Sequence, residues 1–278
     1  MTPLLFVGIV VVVAFGAGFL GALLGLGGGL IVVPVLTLLL HVDIRLAIGA
    51  SIISVIATSS GAAAAYVRER LANIRVAMFL ELGTASGAIA GAYLAGLVHP
   101  RGLYILFGAM LGYSAVAMLR GIHAATIDQP PGALADWLRL HGSYFDHATG
   151  EIVEYPVRRP LLGLGMMFGA GTVSGLLGVG SGALKVPAMD LGMGLPMKVS
   201  TATSNLMIGV TAAASAGLYF ARGQIDPFIA APVALGVLAG ALLGSRALKH
   251  VSSERLRRLF VVVLAVISAQ MIWKGIAG

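Results

Sequence analysis

Continuous apolar runs of membrane-spanning length restrict the fold of this chain more than any other feature. The first run covers residues 4–24, and it does not alternate between polar and apolar residues as a barrel strand would. Hydrophobic residues make up 58% of the 278 residues and charged residues 10%, which is too apolar for a soluble globule. Because only helices and closed barrels satisfy their backbone groups in lipid, the sequence predicts an all-α integral membrane protein.

The apolar runs form ten segments in two groups of five. The first group covers residues 4–24, 29–40, 44–66, 75–97 and 102–120, and the second covers 161–177, 182–194, 198–221, 227–248 and 256–276. Segments 29–40 and 182–194 are too short to span a bilayer comfortably, so each is interpreted as part of a broken helix or as a re-entrant segment. We therefore predict a first transmembrane repeat over 1–120, a polar linker over 121–160 and a second repeat over 161–278.

A glycine cluster occurs once in each half. The first copy is Gly25-Leu26-Gly27-Gly28-Gly29 and the second is Gly178-Val179-Gly180-Ser181-Gly182, 153 residues later. The two halves align at this offset without a gap, which indicates duplication. A glycine cluster inside an apolar segment can interrupt a helix and free its backbone groups to hold a ligand, with half-helix N-termini that favour an anion. The alternative is that these glycines only allow helices to cross closely.

The positions of basic residues predict how the two repeats are inserted. In the first half Arg68, Arg70 and Arg75 surround the loop between the third and fourth segments. The basic cluster of the second half lies one loop later and comprises Arg246, Lys249, Arg255, Arg257 and Arg258. Because basic loops face the cytoplasm, this shift predicts inverted repeats in the cell (cytoplasmic) membrane, with both termini outside and the linker 121–160 cytoplasmic.

The linker has its own local signals. Pro130-Pro131-Gly132 is typical of a turn, Ala133–Leu140 fits one short helix, and residues 142–157 fit a small hairpin. His141 and His147 with Asp146 could bind a metal, but their spacing matches no known ligand pattern, and a solvated loop is the favoured interpretation.

Lys185 is the most unusual single residue, because it lies in an apolar run just beyond the second glycine cluster. The equivalent position in the first repeat is Val32. A lysine there is costly unless it faces a cavity, a counter-ion or a substrate, so substrate binding, snorkelling to an interface and simple ion pairing remain open. Asp190 is a candidate counter-ion, although its spacing does not put it on the same helical face.

Other polar residues lie in the same segments. Glu81 is either a coupling or gating carboxylate or the partner of a basic residue near the interface. Each serine or threonine could instead hydrogen-bond a neighbouring helix or its own helix, and Arg45 and Lys198 are expected to be interfacial anchors. The candidate substrate-binding residues are Gly25, Gly27, Gly28, Gly29, Ser51, Gly178, Gly180, Ser181, Gly182, Lys185, Ser204 and Asn205, and the candidates for coupling or gating are Glu81 and Asp190.

Several function classes lack their sequence signatures. The chain has no nucleophile elbow, phosphate loop or zinc motif, so we expect no enzyme activity, cofactor or metal. It has no cysteine, and its net charge of +7 forms no basic stripe with interleaved aromatic residues, so a nucleic-acid partner is not expected.

Two motifs give the chain a family resemblance. The first motif runs from Gly18-Phe19-Leu20-Gly21 through the first glycine cluster to Pro34 and is followed by Ala47-Ile48-Gly49-Ala50-Ser51. The second runs from Gly175-Leu176-Leu177-Gly178 through the second cluster to Pro187 and is followed by Ser200-Thr201-Ala202-Thr203-Ser204. In these motifs the chain resembles the sulfite exporter TauE/SafE family, also called the toluene-sulfonate uptake permease family. The resemblance implies a bacterial-type membrane transporter for sulfur-containing anions such as sulfite, sulfoacetate or organosulfonates.

The predicted function is therefore secondary transport, in export or uptake, of a small anion by alternating access around a site near the bilayer midplane. Its partners would be the anionic substrate and the lipid bilayer, and a homo-oligomer is compatible with the sequence. A passive anion channel and a non-transporting membrane scaffold are the alternatives. An intramembrane enzyme would need a paired nucleophile and base, which the sequence does not supply.

Overall fold

The computed structural model describes residues 3–121, 133–147, 150–248 and 250–277. The predicted turn at Pro130-Pro131-Gly132 lies outside these residues, as does Lys249 of the basic cluster. The first half consists of α1 (Pro3–Leu24), α2 (Gly29–Pro34) continued by a π-helical turn (Val35–Leu39), α3 (Ile44–Arg68), α4 (Ile74–Ala95) and α5 (Pro100–Gly121).

The second half has the same element order. It consists of α7 (Pro160–Leu177), α8 (Gly182–Pro187) continued by a π-helical turn (Ala188–Gly192), α9 (Met197–Ala221), α10 (Pro227–Leu248) and α11 (Ser253–Ala277). The bounds of α2, α3 and α4 recur 153 residues later in α8, α9 and α10, so the duplicated sequence has a duplicated set of helices. Within the described residues, eight helices are long and apolar enough to cross a membrane. The predicted all-α membrane fold is confirmed.

Side-chain caps fix where α3 and α4 begin. The Asp43 carboxylate accepts a hydrogen bond from the Arg45 backbone N–H at 2.8 Å. The Asn73 side chain accepts one from the Val76 N–H at 3.1 Å. Each cap satisfies a backbone donor that the first turn of a helix leaves without an intrahelical partner.

Helices α3 and α9 pack together in opposite directions through the centre of the bundle. Gly49, near the start of α3, lies against Gln224, which follows α9, and Ser59 lies against Gly209 in the middle of α9. The Asn73 backbone N–H, beyond the end of α3, donates to Thr203 Oγ1 at 3.0 Å. These two helices occupy equivalent places in the two halves, so their opposite directions support the inverted arrangement, which remains a prediction.

Stripes of glycine at four-residue spacing let helices from different halves pack backbone to backbone. On α4, Gly83, Gly87 and Gly91 lie against the backbone of α7, and on α10, Gly236, Gly240 and Gly244 lie against the backbone of α1. This small-residue spacing permits close helix approach where lipid provides no hydrophobic drive between helices. The two halves are therefore interlocked by α1 with α10 and by α4 with α7, and the division into repeats over 1–120 and 161–278 remains a prediction.

The predicted helix and hairpin of the linker are confirmed, although the helix is shorter than expected. α6 covers Ala133–Trp137, and β1 (Gly142–Asp146) pairs antiparallel with β2 (Glu151–Tyr155). Gly150, in the turn, has a positive φ of 77°.

Several described residues of the linker pack onto the helical bundle. Leu140, Tyr144 and Val157 are buried. Asn73 joins the linker to α4 by donating from Nδ2 to the Leu140 carbonyl at 2.8 Å and to Tyr155 Oη at 3.1 Å. Burial raises the pKa of the Tyr144 phenol to about 12, with the nearby Asp146 carboxylate as a second cause.

Lys198 is also placed differently from its expected interfacial position. It is 1% exposed, and its Nζ donates to Asp146 Oδ1 of the linker at 2.7 Å. His141 lies between two partners, Asp136 Oδ1 at 2.8 Å and the Val157 backbone N–H at 2.9 Å. Among the residues that suggested a metal site, Asp146 holds the linker against α9, and His141 orders the linker backbone. His147 Nε2 lies 3.8 Å from Glu69 Oε2, beyond the end of α3.

Gly171→Ala tests the glycine packing. A methyl group at Gly171 would collide with the Thr84 backbone, whereas one at Gly169 on the same helix meets no atom within 4 Å. Overpacking of this kind costs about 1–3 kcal/mol. We expect Gly171→Ala to lower the thermal unfolding temperature of the purified protein and Gly169→Ala to leave it unchanged or raise it. Equal effects of the two substitutions would contradict the packing argument.

Cysteine labelling tests the directions of the helices, because the natural chain contains no cysteine. Arg70→Cys lies beyond the end of α3, Arg255→Cys lies in the first turn of α11, and His99→Cys lies beyond the far end of α4. We expect a membrane-impermeant thiol reagent to label the first two from the same side of sealed vesicles and the third from the other side. Labelling of Arg70→Cys and Arg255→Cys from opposite sides would rule out the inverted topology.

Candidate functional site

The two glycine clusters interrupt the bundle through left-handed backbone conformations. After α1, Gly25 and Gly27 have φ values of 72° and 76°, and after α7, Gly178 and Gly180 have φ values of 64° and 77°. Glycine adopts these angles without the steric cost that a side chain would add. The serine in the second cluster, Ser181, also has a positive φ, of 56°, so the two breaks differ slightly in local geometry.

The two breaks meet in the interior of the protein. Gly27 and Gly180 both pack against Val55 and Ile208, which lie near the middles of α3 and α9. A side chain on Gly182 would collide with the backbone of Gly25 and Leu26. The predicted glycine residues are therefore brought together at mid-height in the bundle, where two helices end and two short helices begin.

Each break receives a hydrogen bond from a serine of the other half. Ser51 Oγ donates to the Gly178 carbonyl at 2.8 Å, and Ser204 Oγ donates to the Gly25 carbonyl at 2.7 Å. The two bonds are equivalent under the 153-residue offset. Both predicted serines thus contact the breaks, and each satisfies a backbone carbonyl that the helix has released.

Tyrosines repeat the same pattern within each half. Tyr66 Oη donates to the Ala22 carbonyl at 2.8 Å, and its equivalent Tyr219 Oη donates to the Gly175 carbonyl at 2.7 Å. Both side chains are fully buried or nearly so. Tyrosine therefore secures the helix end that precedes each break.

The remaining glycines of the first cluster have defined contacts. The Gly28 backbone N–H donates to Thr58 Oγ1 at 2.9 Å. Gly29 lies against the Ser51 side chain, which leaves no room for a Cβ atom. Both residues therefore hold the beginning of α2 against α3.

Beside the second break a buried charge pair takes the place of this neutral arrangement, and it joins Lys185 of the second half to Glu81 of the first half. Lys185 is fully buried, and its Nζ donates to Thr211 Oγ1 at 2.5 Å. Thr211 Oγ1 in turn donates to Glu81 Oε1 at 2.6 Å, and Glu81 Oε2 lies 3.5 Å from Lys185 Nζ. The structure thus brings together Lys185 and Glu81, which the sequence alone indicated only as two separate candidates.

Asp190 is not the partner of Lys185. Its carboxylate instead forms an ion pair with the guanidinium group of Arg257 on α11. The pair joins the π-helical turn after α8 to the first turns of α11. Asp190 therefore lies outside the cluster that surrounds the two breaks.

Asn205 contributes polar groups to the first break. Its Nδ2 donates to the Ala22 carbonyl at 2.7 Å, while its Oδ1 is buried without a hydrogen-bond partner among the described residues. Thr201 lies one turn earlier on α9 and packs against Gly25. Its buried hydroxyl also has no hydrogen-bond partner among the described residues. Sequence reasoning did not select Thr201, although its spacing of four residues from Asn205 puts the two side chains on the same helical face.

The described side chains around the two breaks form a buried polar cluster. It combines one ammonium group, several hydroxyl groups and one amide at the centre of an apolar bundle. A carboxylate occupies one side of the ammonium group.

Comparison with known proteins agrees with a transporter. The sequence profile described as "Sulfite exporter TauE/SafE" matches residues 10–271. The chain belongs to this family. Its described helices and its sequence together make it a multi-pass membrane transporter of the TauE/SafE family.

Curated relatives extend over almost the whole chain at low identity. The chain is 27% identical to the probable membrane transporter protein YunE of Bacillus subtilis (strain 168), over 96% of this chain and 98% of that protein. It is 26% identical to YdhB of the same organism, also named a probable membrane transporter protein, over 86% of this chain and 89% of that protein. The names of the family and of these relatives all describe membrane transport. No solved structure matches the chain.

Serine substitutions test whether the hydrogen bonds between the halves stabilise the two breaks. Ser51→Ala and Ser204→Ala each leave a buried carbonyl unsatisfied, which costs about 1–3 kcal/mol. Ser60, an exposed residue of α3 that bonds only the Ile56 carbonyl of its own helix, supplies the control. We expect both serine variants to lower the thermal unfolding temperature and Ser60→Ala to leave it unchanged. A stable Ser51→Ala, Ser204→Ala double variant would show that these bonds do not hold the breaks.

Proposed function

We propose that this family member is a secondary transporter of small sulfur-containing anions such as sulfite or organosulfonates. The observation that carries the proposal is Lys185, a fully buried ammonium group beside the second glycine break. An ionisable residue inside a membrane bundle usually marks a substrate or ion pathway, because burying it without such a use is costly. The name of the matching family supplies the class of anion.

Substrate would bind between the two breaks. Lys185 would supply charge, and Ser51, Ser204 and Asn205 would supply polar contacts when the breaks separate. The glycines at 25, 27, 28, 29, 178, 180 and 182, together with Ser181, would give the backbone freedom to rearrange around the anion.

Transport would occur by alternating access. Val55 and Ile208 lie packed against both breaks, and the candidate residues around them are buried. This closed centre favours a carrier that opens to one side at a time over a continuously open channel. Rocking of one repeat against the other would expose the site alternately.

We also propose the cell membrane as the location of the protein, with both termini outside and the linker in the cytoplasm. The basic residues around the ends of α3 and α10 support this orientation. The described part of the linker contacts that same end of the bundle through Asn73 and Lys198. Export and uptake both remain compatible with this arrangement.

Counterflow in proteoliposomes tests the function. Vesicles loaded in turn with unlabelled sulfite, thiosulfate, methanesulfonate or acetate are assayed for exchange with external labelled methanesulfonate. We expect saturable exchange with the sulfur-containing anions and weaker exchange with acetate. Single-channel conductance without counterflow would favour the channel, and absence of both would favour the scaffold.

Lys185→Met is expected to reduce this exchange about 10- to 100-fold, because a hydrogen bond to a charged group contributes about 1.5–3 kcal/mol. The double variant Lys185→Met, Glu81→Gln removes both charges, so loss of exchange in it cannot be assigned to an unpaired buried carboxylate. Lys274→Met, near the end of α11, is the matched control and should exchange at the wild-type rate. Exchange at the wild-type rate in the double variant would show that Lys185 does not bind the substrate.

A further inference from the structure

The buried pair of Lys185 and Glu81 joins the second half to the first and has no counterpart at the equivalent positions of the duplicated framework. The residues equivalent to Lys185, Thr211 and Glu81 are Val32, Thr58 and Ala234. Thr58 keeps its packing position and accepts the Gly28 backbone N–H at 2.9 Å, with no charged residue in the other two places. The equivalent positions 32 and 234 thus carry no charge, so the duplicated helical framework forms there without an ion pair.

The polar contacts of the pair leave one carboxylate oxygen available. Glu81 Oε1 accepts the Thr211 hydroxyl at 2.6 Å, but Oε2 has no hydrogen-bond partner among the residues that the structure describes. This oxygen lies 3.5 Å from Lys185 Nζ, outside ordinary hydrogen-bond distance. It is therefore a place where a proton can be added without breaking a hydrogen bond.

Other ionisable residues on the packed helices are engaged elsewhere, lie near helix ends or are exposed. The sequence of α7 contains none. On α9, Lys198 binds Asp146, Arg222 donates to the Ala92 carbonyl, and Tyr219 donates to the Gly175 carbonyl. Outside these two helices, Asp190 pairs with Arg257, and Arg75 lies in the first turn of α4. Tyr93 on α4 and Tyr113 on α5 are exposed, and Arg101, Tyr104 and Arg120 lie near the ends of α5. Glu81 is thus the carboxylate that directly faces Lys185.

Charge balance then links substrate binding to proton uptake. With Lys185 protonated and Glu81 ionised, the pair carries no net charge. A monoanion that replaced Glu81 on Lys185 would leave one uncompensated negative charge in a medium of low dielectric constant, which is strongly unfavourable. One proton added to Glu81 restores neutrality.

Resting on the proposed transport function, we propose that Glu81 is the proton-coupling residue and that each monoanion crosses the membrane together with one proton. The proton comes from water on the side from which the anion enters and binds Glu81 Oε2 as the anion replaces that carboxylate on Lys185 Nζ. On the other side the anion and the proton both leave, and the Glu81 carboxylate returns to Lys185. No covalent bond forms, and the loaded and empty sites carry the same net charge.

The test uses methanesulfonate, because a sulfonic acid is fully ionised near neutral pH and cannot carry the proton itself. Purified wild-type protein and the Glu81→Gln variant are reconstituted in vesicles of phosphatidylethanolamine and phosphatidylglycerol, with a pH-sensitive dye inside and the membrane potential clamped. Glu254→Gln, at an exposed carboxylate in the first turn of α11, is the matched control.

In wild-type vesicles, an outside solution about one pH unit more acidic should drive about tenfold accumulation of methanesulfonate, with one proton entering per anion. The Glu254→Gln control should behave in the same way. Glu81→Gln imitates the protonated carboxyl group, so it should still exchange methanesulfonate at equal pH but should lose both the pH-driven accumulation and the proton entry.

Three outcomes would overturn the inference. Wild-type accumulation that does not respond to the pH gradient, or that brings in no protons, refutes proton coupling and leaves the transport function intact. Proton entry in Glu81→Gln equal to that of the wild type refutes the role of Glu81. Absence of wild-type methanesulfonate exchange refutes sulfonate transport and this inference with it. The wild-type measurement decides whether anion transport is coupled to protons even if Glu81→Gln does not fold.

Discussion

Backbone groups released inside an apolar bundle must find partners within the protein, since lipid offers none. Ser51 and Ser204 donate to carbonyls of the opposite break, and Tyr66 and Tyr219 donate to the helix ends that precede the breaks. Each half thereby depends on the other for the hydrogen bonds of its interrupted segment. This mutual dependence ties α3 and α9 to the centre of the protein.

Close helix packing also makes each half depend on the other, in the helices that surround the centre. The glycine stripes of α4 and α10 meet the backbones of α7 and α1, so each half contributes helices to the packing of the other. The broken segments are consequently held between long helices and not at the surface. The long helices therefore surround a polar and interrupted centre.

The two halves share a framework but differ in chemistry. Hydroxyl groups at Thr58 and Thr211 occupy equivalent places, yet only the second contacts a lysine and a carboxylate. The duplicated sequence thus forms a shared helical framework, and a small number of residue differences at the centre change its electrostatics. The asymmetry places an ammonium group and a carboxylate beside one break.

The sequence by itself determined the membrane class, the ten segments, both breaks and the duplication, because hydropathy and the backbone freedom of glycine act locally. It also indicated Lys185 as unusual, because burying a charged side chain in an apolar run is energetically costly. Only the tertiary structure decided that Glu81 is its partner, that Asp190 pairs with Arg257, and that Lys198 holds the linker through Asp146. These contacts join residues far apart in the chain. Their geometry depends on how α4, α8, α9 and α11 pack, which no local pattern of residues specifies.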